Sequence, residues 1–85
     1  MTEAEIRATL RGFLCAEVIG DPHYPLRDDE PLFTGGIIDS FALAHIGVFI
    51  ETAFGVYIPD VELTADAFDT LEQFAARVSA DLGAA

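Results

Sequence analysis

The chain has 85 residues, a hydrophobic fraction of 52% and a formal net charge of −11, from 15 acidic residues against four basic ones. This length leaves room for one small domain and excludes a two-domain arrangement. The negative charge would repel phosphate backbones and anionic lipid headgroups, so we expect no nucleic-acid and no membrane partner. No apolar run reaches the roughly 20 residues of a membrane span, and the N-terminus lacks the features of a signal peptide, so we expect a cytoplasmic protein.

Candidate metal ligands are sparse. The lone cysteine, Cys15, excludes an internal disulfide, and only His23 and His45 are available to join carboxylates in a zinc site. No acidic loop has the ligand spacing of an EF-hand. We therefore expect no metal, and we interpret Cys15 as a small buried apolar residue.

The first helix is predicted over about residues 2–19. Thr2 and Glu5 have the spacing of a capping box. Apolar residues then recur at helical intervals: Ile6, Leu10, Phe13, Leu14 and Val18. Residues 20–39 contain three prolines and three glycines, which predicts a long loop that its apolar residues anchor to the core.

The second helix is predicted over about residues 40–54, with Gly55 as its C-terminal stop. Four apolar residues fall within about 80° of one another and are predicted to face the core: Leu43, Ile46, Ile50 and Phe54. Three more fall on roughly the opposite side: Phe41, Ala44 and Val48. We interpret them as a partner-facing apolar patch. The alternative is a helix that is buried all round.

The remaining elements complete an all-α prediction. A short helix is expected over about residues 60–65. Thr70 and Gln73 have the spacing of a second capping box, which predicts a last helix over about residues 70–82 and frayed residues from Gly83 to Ala85. The sequence therefore predicts a single domain over residues 1–85, folded as a small four-helix bundle with three main helices and one short helix.

Several motifs occur together around Ser40. They are Gly36-Ile37-Ile38-Asp39-Ser40-Phe41, then Phe54-Gly55-Val56 and Ile58-Pro59-Asp60, and finally Ala67-Phe68-Asp69-Thr70-Leu71. In sequence and spacing they resemble the phosphopantetheine-dependent carrier proteins, which are the acyl, peptidyl and D-alanyl carriers. The resemblance covers residues 29–78 and implies a four-helix bundle of the acyl-carrier type.

The resemblance also implies a function. Ser40 would be the attachment point of 4′-phosphopantetheine, transferred from coenzyme A by a separate phosphopantetheinyl transferase, and Asp39 would position that transferase. The arm would hold acyl or aminoacyl groups as thioesters. Partners would be a loading enzyme of the adenylating or acyltransferase type and downstream biosynthetic enzymes. The chain itself would not be an enzyme, and we expect a monomer.

Docking to those enzymes is predicted for one face of helix two and the segment after it, through Phe41, Ala44, Val48, Glu51 and Asp60. Helix two carries fewer acidic residues than it does in carriers of fatty-acid synthesis, which gives the apolar patch more weight. We therefore expect a free-standing carrier of nonribosomal peptide or polyketide assembly. Short or polar cargo is expected if five aromatic residues fill the core: Phe13, Phe49, Phe54, Phe68 and Phe74.

Two other functions were considered for the same residues. A Ser-His-Asp hydrolase is excluded, because Ser40 and His45 lie about 140° apart on one helix. The alternative that remains is an unmodified helical protein-interaction module, which would dock through the apolar face of helix two. Modification of Ser40 distinguishes this alternative from a carrier.

Overall fold

Three α-helices make up most of the regular structure of residues 1–83. A computed structural model describes residues 1–83. All regular secondary structure in these residues is helical, and they contain no strand. The helices are α1 (Glu3–Phe13), α2 (Ala42–Phe54) and α3 (Leu71–Leu82). Between α2 and α3 a 3-10 turn occupies Asp60–Glu62. None of the helices in residues 1–83 combines the length and the apolarity that crossing a bilayer requires.

Local capping explains where α1 starts and stops. The Thr2 side chain accepts a hydrogen bond from the Glu5 amide, and the Glu5 side chain accepts one from the Thr2 amide. These two bonds satisfy amides that have no partner within a helix. Beyond Phe13 the helix continues as a π-helix over Leu14–Ile19 and ends at Gly20, which has φ 87°. Glycine adopts this left-handed conformation without steric cost.

The second helix starts two residues later than predicted. Ser40 and Phe41 form a turn in which the Ala42 amide donates to the Asp39 carbonyl at 3.1 Å. Phe41 is the N-cap residue, and no side chain caps this end of α2. Gly55, with φ 71°, ends the helix.

The third helix has the same type of cap as α1. Thr70 accepts from the Gln73 amide, and the Gln73 side chain accepts from the Thr70 amide. Gly83 has φ 65° and its amide donates to carbonyls of the last turn. Gly83 is thus an ordered C-cap rather than a frayed residue, whereas the same expectation for Ala84 and Ala85 lies outside the described residues.

The predicted fourth helix over residues 60–65 is wrong in extent. It is a 3-10 turn of three residues, after which Leu63 leaves the helical region with ψ 77°. Turns of this kind rarely extend further, because their hydrogen-bond geometry is poorer than that of an α-helix. The described residues therefore contain three α-helices joined by a turn and two loops.

One core is shared by all three helices and the segments that connect them. Its buried apolar residues are Ile6, Leu10, Leu14, Cys15, Leu26, Leu32, Leu43, Ile46, Ile50, Val56, Ile58, Phe68, Leu71, Phe74, Ala75 and Val78. In α2 the predicted core positions Leu43, Ile46 and Ile50 are buried, and Phe54 packs against the core while half-buried. Cys15 is buried, as predicted, and burial raises the pKa of its thiol.

The long loop before α2 is tied to both neighbouring helices. Leu26 and Leu32 are buried in the core. Arg7 and Arg11 of α1 both form ion pairs with Asp28, and the Glu72 amide of α3 donates to the Asp28 carbonyl at 3.0 Å. Asp28 therefore joins the loop to α1 and to the start of α3.

Candidate functional site

A tight turn leads the chain to Ser40. The amides of Ile37 and Ile38 both donate to the Leu32 carbonyl, at 2.9 and 3.1 Å. Gly36 has φ 75°, a conformation that side chains other than hydrogen rarely adopt. The neighbouring Gly35 lies against Pro31, where an added Cβ would be 2.2 Å from the carbonyl oxygen. The adjacent glycines Gly35 and Gly36 are therefore both required by the backbone of this turn.

Asp69, just before α3, holds this turn in place. Its Oδ1 accepts hydrogen bonds from the Phe33 amide at 2.7 Å and the Thr34 amide at 3.1 Å, and its Oδ2 accepts one from the Thr34 hydroxyl at 2.5 Å. The Asp69 carbonyl also accepts from the Leu32 amide at 2.8 Å. Sequence reasoning missed this role because the bonded residues are separated by about half of the chain.

These hydrogen bonds lower the pKa of the Asp69 carboxyl group. Burial raises it, but the hydrogen bonds from Thr34 and Phe33 outweigh burial and leave the pKa below the ordinary value of 3.8. A lowered folded-state pKa means that the carboxylate stabilises the fold above that ordinary value, and that the contribution is lost as pH falls through the folded-state pKa.

Asp69→Asn is expected to lower the free energy of unfolding by about 1–2 kcal/mol at pH 7, because hydrogen bonds to a charged acceptor are lost. The measurement is urea unfolding of the variant and the wild type between pH 7 and pH 2.5. The difference between the two should shrink at the acidic end of this range. Asp66→Asn is the matched control, since Asp66 is exposed, and it should change stability by less than about 0.5 kcal/mol. A difference that grows toward low pH would contradict the assignment.

Asp39 and Ser40 lie on the outside of the turn. Both residues are exposed. Within residues 1–83, neither side chain forms a hydrogen bond or an ion pair. Their carbonyls accept from the amides of Ala42 and Leu43, at 3.1 and 3.2 Å, which completes the turn into α2. The Ser40 hydroxyl is therefore free of structural bonds and open to a reagent from solvent.

A cleft opens directly beside Ser40. It has a volume of about 260 Å³ and is lined by Ser40, Leu43, Ala44, Asp60 and Leu63. A second cleft of about 120 Å³ continues along α2 and is lined by Ala44, Gly47, Val48, Glu51, Tyr57, Ile58, Asp60 and Leu63. We call the two clefts together the α2 groove. The groove separates α2 from the segment that contains the 3-10 turn, and Ser40 lies at one end of it.

Large apolar side chains are exposed around the α2 groove. Phe41 is 87% exposed and Val48 is 64% exposed, and Ala44 is exposed as well. The alternative of a helix that is buried all round is therefore wrong. Tyr57 and Val61 are also exposed, at 63% and 86%. Sequence reasoning missed them, although Tyr57 stands between the buried Val56 and Ile58, an alternation typical of an extended segment with one exposed face.

The charge around the α2 groove is negative and uncompensated. All four arginines form ion pairs with acids that do not line it: Arg7 with Glu3 and Asp28, Arg11 with Asp28, Arg27 with Asp29, and Arg77 with Glu62 and Asp81. Glu51 and Asp60 line the groove and Asp39 precedes Ser40, and none of the three has a cationic partner within the described residues. This surface therefore combines exposed apolar side chains with free carboxylates, which favours a partner that is both apolar and basic.

The remaining candidate residues lie apart from this surface. His45 is exposed and contacts the edge of the Phe13 ring, with ring centroids 5.2 Å apart. His23 is exposed in the loop that follows α1. Residues 1–83 contain no group of three or more His, Cys, Asp or Glu side chains that could hold a metal ion.

Neither protein-family models nor curated proteins match the chain.

Proposed function

We propose that the chain is a phosphopantetheine-dependent carrier protein, with the fold of an acyl-carrier-type bundle and with Ser40 as the attachment residue. The observation that carries the proposal is the Ser40 hydroxyl itself. It is exposed, bound to no other described side chain or backbone group, and placed at the end of a groove. A serine that served only to cap the helix would accept a hydrogen bond from an amide of the first turn.

The residues around Ser40 fit the proposed arm. The phosphodiester would lie just before the N-terminus of α2, where no side-chain cap and no acidic residue of the first helical turn competes for the positive end of the helix dipole. The cleft of about 260 Å³ beside Ser40 has apolar walls from Leu43, Ala44 and Leu63. This cleft leaves space for the arm next to its attachment point. Ser40 itself is exposed to solvent at the edge of the cleft.

Transfer from coenzyme A would form a bond between Ser40 Oγ and the phosphorus atom of the phosphopantetheine group. The bond from that phosphorus to the adenosine bisphosphate leaving group would break, and the serine proton would pass to a base of the transferase. The arm supplies a terminal thiol that carries an acyl or aminoacyl group as a thioester. The chain contributes the accessible nucleophile and the surface that the transferase recognises, including Asp39, and it catalyses nothing itself.

The same surface would serve the later partners. A loading enzyme of the adenylating or acyltransferase type and the downstream enzymes would dock on Phe41, Ala44 and Val48, with Glu51 and Asp60 pairing to basic groups. Tyr57 and Val61 extend that surface on the other side of the α2 groove. We assign the chain to cytoplasmic nonribosomal peptide or polyketide assembly, acting as a monomer.

Intact-mass spectrometry tests this proposal. The purified protein is incubated with coenzyme A and a broad-specificity phosphopantetheinyl transferase. We expect a complete mass gain of one phosphopantetheine per chain. Ser40→Ala should gain nothing, whereas Ser79→Ala should gain the same mass as the wild type, because Ser79, the only other serine, is 7% exposed.

The carrier proposal is contradicted if the wild-type mass stays unchanged in a sample whose circular dichroism shows folded helix. The exposed apolar face of α2 would then favour the unmodified interaction module. In that case Phe41→Ser and Val48→Ser should weaken partner binding, while Ser40→Ala should leave it unchanged.

A further inference from the structure

Leu63 occupies a special position in the α2 groove. It lines both clefts, the one at Ser40 and the one that runs along α2 past Val48. Its side chain packs directly on the backbone of α2 at Gly47, where an added Cβ would lie 2.9 Å from Leu63 Cδ1. Gly47 therefore provides the space that Leu63 fills. Ala44 and Asp60 also line both clefts, and Leu63 has the largest side chain of the three, at the boundary between the clefts of about 260 and 120 Å³. We call the Leu63 side chain at this boundary the partition.

The backbone holds this partition in place. The Leu63 amide donates to the Asp60 carbonyl at 3.1 Å, which closes the 3-10 turn behind it. The adjacent Glu62 forms an ion pair with Arg77 of α3 at 2.7 Å, and Arg77 is also held by Asp81 at 2.9 Å. On the other side of Leu63, the Thr64 carbonyl accepts a hydrogen bond of 2.9 Å from the Phe68 amide. Residues on both sides of Leu63 are thus held by hydrogen bonds and an ion pair, which fix the backbone that carries the Leu63 side chain beside the groove.

The core behind the α2 groove is closely packed. Val56 and Ile58 on the segment before the turn are buried, and Phe68 and Phe74 stack with ring centroids 5.0 Å apart. On the other side of α2, Phe49 stacks on Phe13 with centroids 3.9 Å apart. Interiors packed in this way accept no additional methylene groups without strain. A chain starting at Ser40 meets Leu63 before it can extend along the groove.

We propose that Leu63, seated on Gly47, sets the cargo class by blocking the α2 groove, so that the chain carries short or polar groups and gives a long apolar group no shelter. This inference rests on the proposed attachment at Ser40. It assigns the specificity to a residue of the chain itself, in addition to any selection by the enzyme that loads the arm.

The test compares two loads on three proteins. Wild type, Leu63→Ala and Leu82→Ala are each modified with acetyl-coenzyme A or octanoyl-coenzyme A and the transferase, and the melting temperature of each product is measured after its mass has been checked. Leu82 is an exposed leucine that lines neither cleft, so it controls for the loss of a leucine side chain.

We expect the acetyl and octanoyl forms of the wild type and of Leu82→Ala to melt within about 2 °C of each other. In Leu63→Ala the octanoyl form should melt about 4–8 °C above the acetyl form, because the opened groove shelters the apolar chain in the folded state only. Leu63→Val, a smaller change, should give a shift in the same direction if Leu63→Ala folds poorly.

Each outcome has a separate meaning. If no protein gains the mass of an acyl-phosphopantetheine, the proposed function fails and the cargo inference fails with it. If all gain the mass and the octanoyl form of the wild type is already stabilised as much as that of Leu63→Ala, the carrier function stands and the role of Leu63 is overturned. Equal melting of the acetyl and octanoyl forms in both Leu63 variants overturns it as well.

Discussion

Phe74→Ala is expected to remove about 3–5 kcal/mol of stability, the usual cost of deleting a buried aromatic side chain. Phe74 is fully buried in α3 and stacks on Phe68 with ring centroids 5.0 Å apart. Its loss would leave a cavity at the place where α3 meets the segment that precedes it. A domain of this size has a total stability of roughly 4–13 kcal/mol, so this single change should remove a large fraction of it, and all of it if the total lies at the low end of that range.

The measurement is urea unfolding followed by circular dichroism, with a slope of about 1 kcal/mol per M for a small domain. Phe41→Ala is a matched control, because it removes the same side chain from a position that is 87% exposed. The control should stay within about 0.5 kcal/mol of the wild type. Equal losses for the two phenylalanines would mean that Phe74 does not lie in the core as described.

Gly35→Ala is expected to remove about 2–3 kcal/mol, the range typical of a substitution that strains the backbone. An alanine Cβ would lie 2.2 Å from the Pro31 carbonyl oxygen and 3.3 Å from the Pro31 carbonyl carbon. Both are backbone atoms, which cannot rotate away as the end of a flexible side chain can. The turn from Leu32 to Ile38 would have to rearrange, and this is the turn that delivers Ser40 to its exposed position.

Gly12→Ala is the control for this change, because nothing lies within 4 Å of the added Cβ at the end of α1, where the chain continues into the π-helix. Alanine favours a helix over glycine, so the control should raise stability by about 0.5–1 kcal/mol. The two glycine-to-alanine changes are thus expected to move the urea midpoint in opposite directions. A Gly35 variant as stable as the wild type would show that the turn tolerates a side chain at this position.

The described residues form two kinds of charged surface. On one the arginines are paired with acids, and on the other, at the α2 groove, the carboxylates have no cationic partner. Ion pairs of Arg7 and Arg11 with Asp28 fasten α1 to the long loop. The ion pair of Arg77 with Glu62 fastens α3 to the 3-10 turn. The free carboxylates of Asp39, Glu51 and Asp60 remain beside the exposed apolar residues of α2. Surface charges steer encounter between proteins more than they add affinity. For the proposed partners of this face we expect association to slow with increasing salt, while the apolar residues set the lifetime of the complex.

The local features of the fold could be predicted from the sequence alone. Thr2 with Glu5 and Thr70 with Gln73 start their helices as predicted, because each capping box involves residues three positions apart. The separation of α2 into a buried stripe and an exposed patch also followed from the helical period. The sequence also identifies Ser40 as the candidate site residue, through the motif Gly36-Ile37-Ile38-Asp39-Ser40-Phe41 in which it lies.

Only the tertiary structure decided how Ser40 is presented and what lies beside it. The anchoring of Phe33 and Thr34 by Asp69 joins residues 36 and 35 positions apart. Leu63 packs on Gly47 of α2, and Glu62 of the 3-10 turn pairs with Arg77 of α3, so these contacts also join separate elements. Sequence spacing specifies contacts within one or two helical turns, because the backbone geometry there is already given. Partners from distant segments are selected by the packing of the whole core.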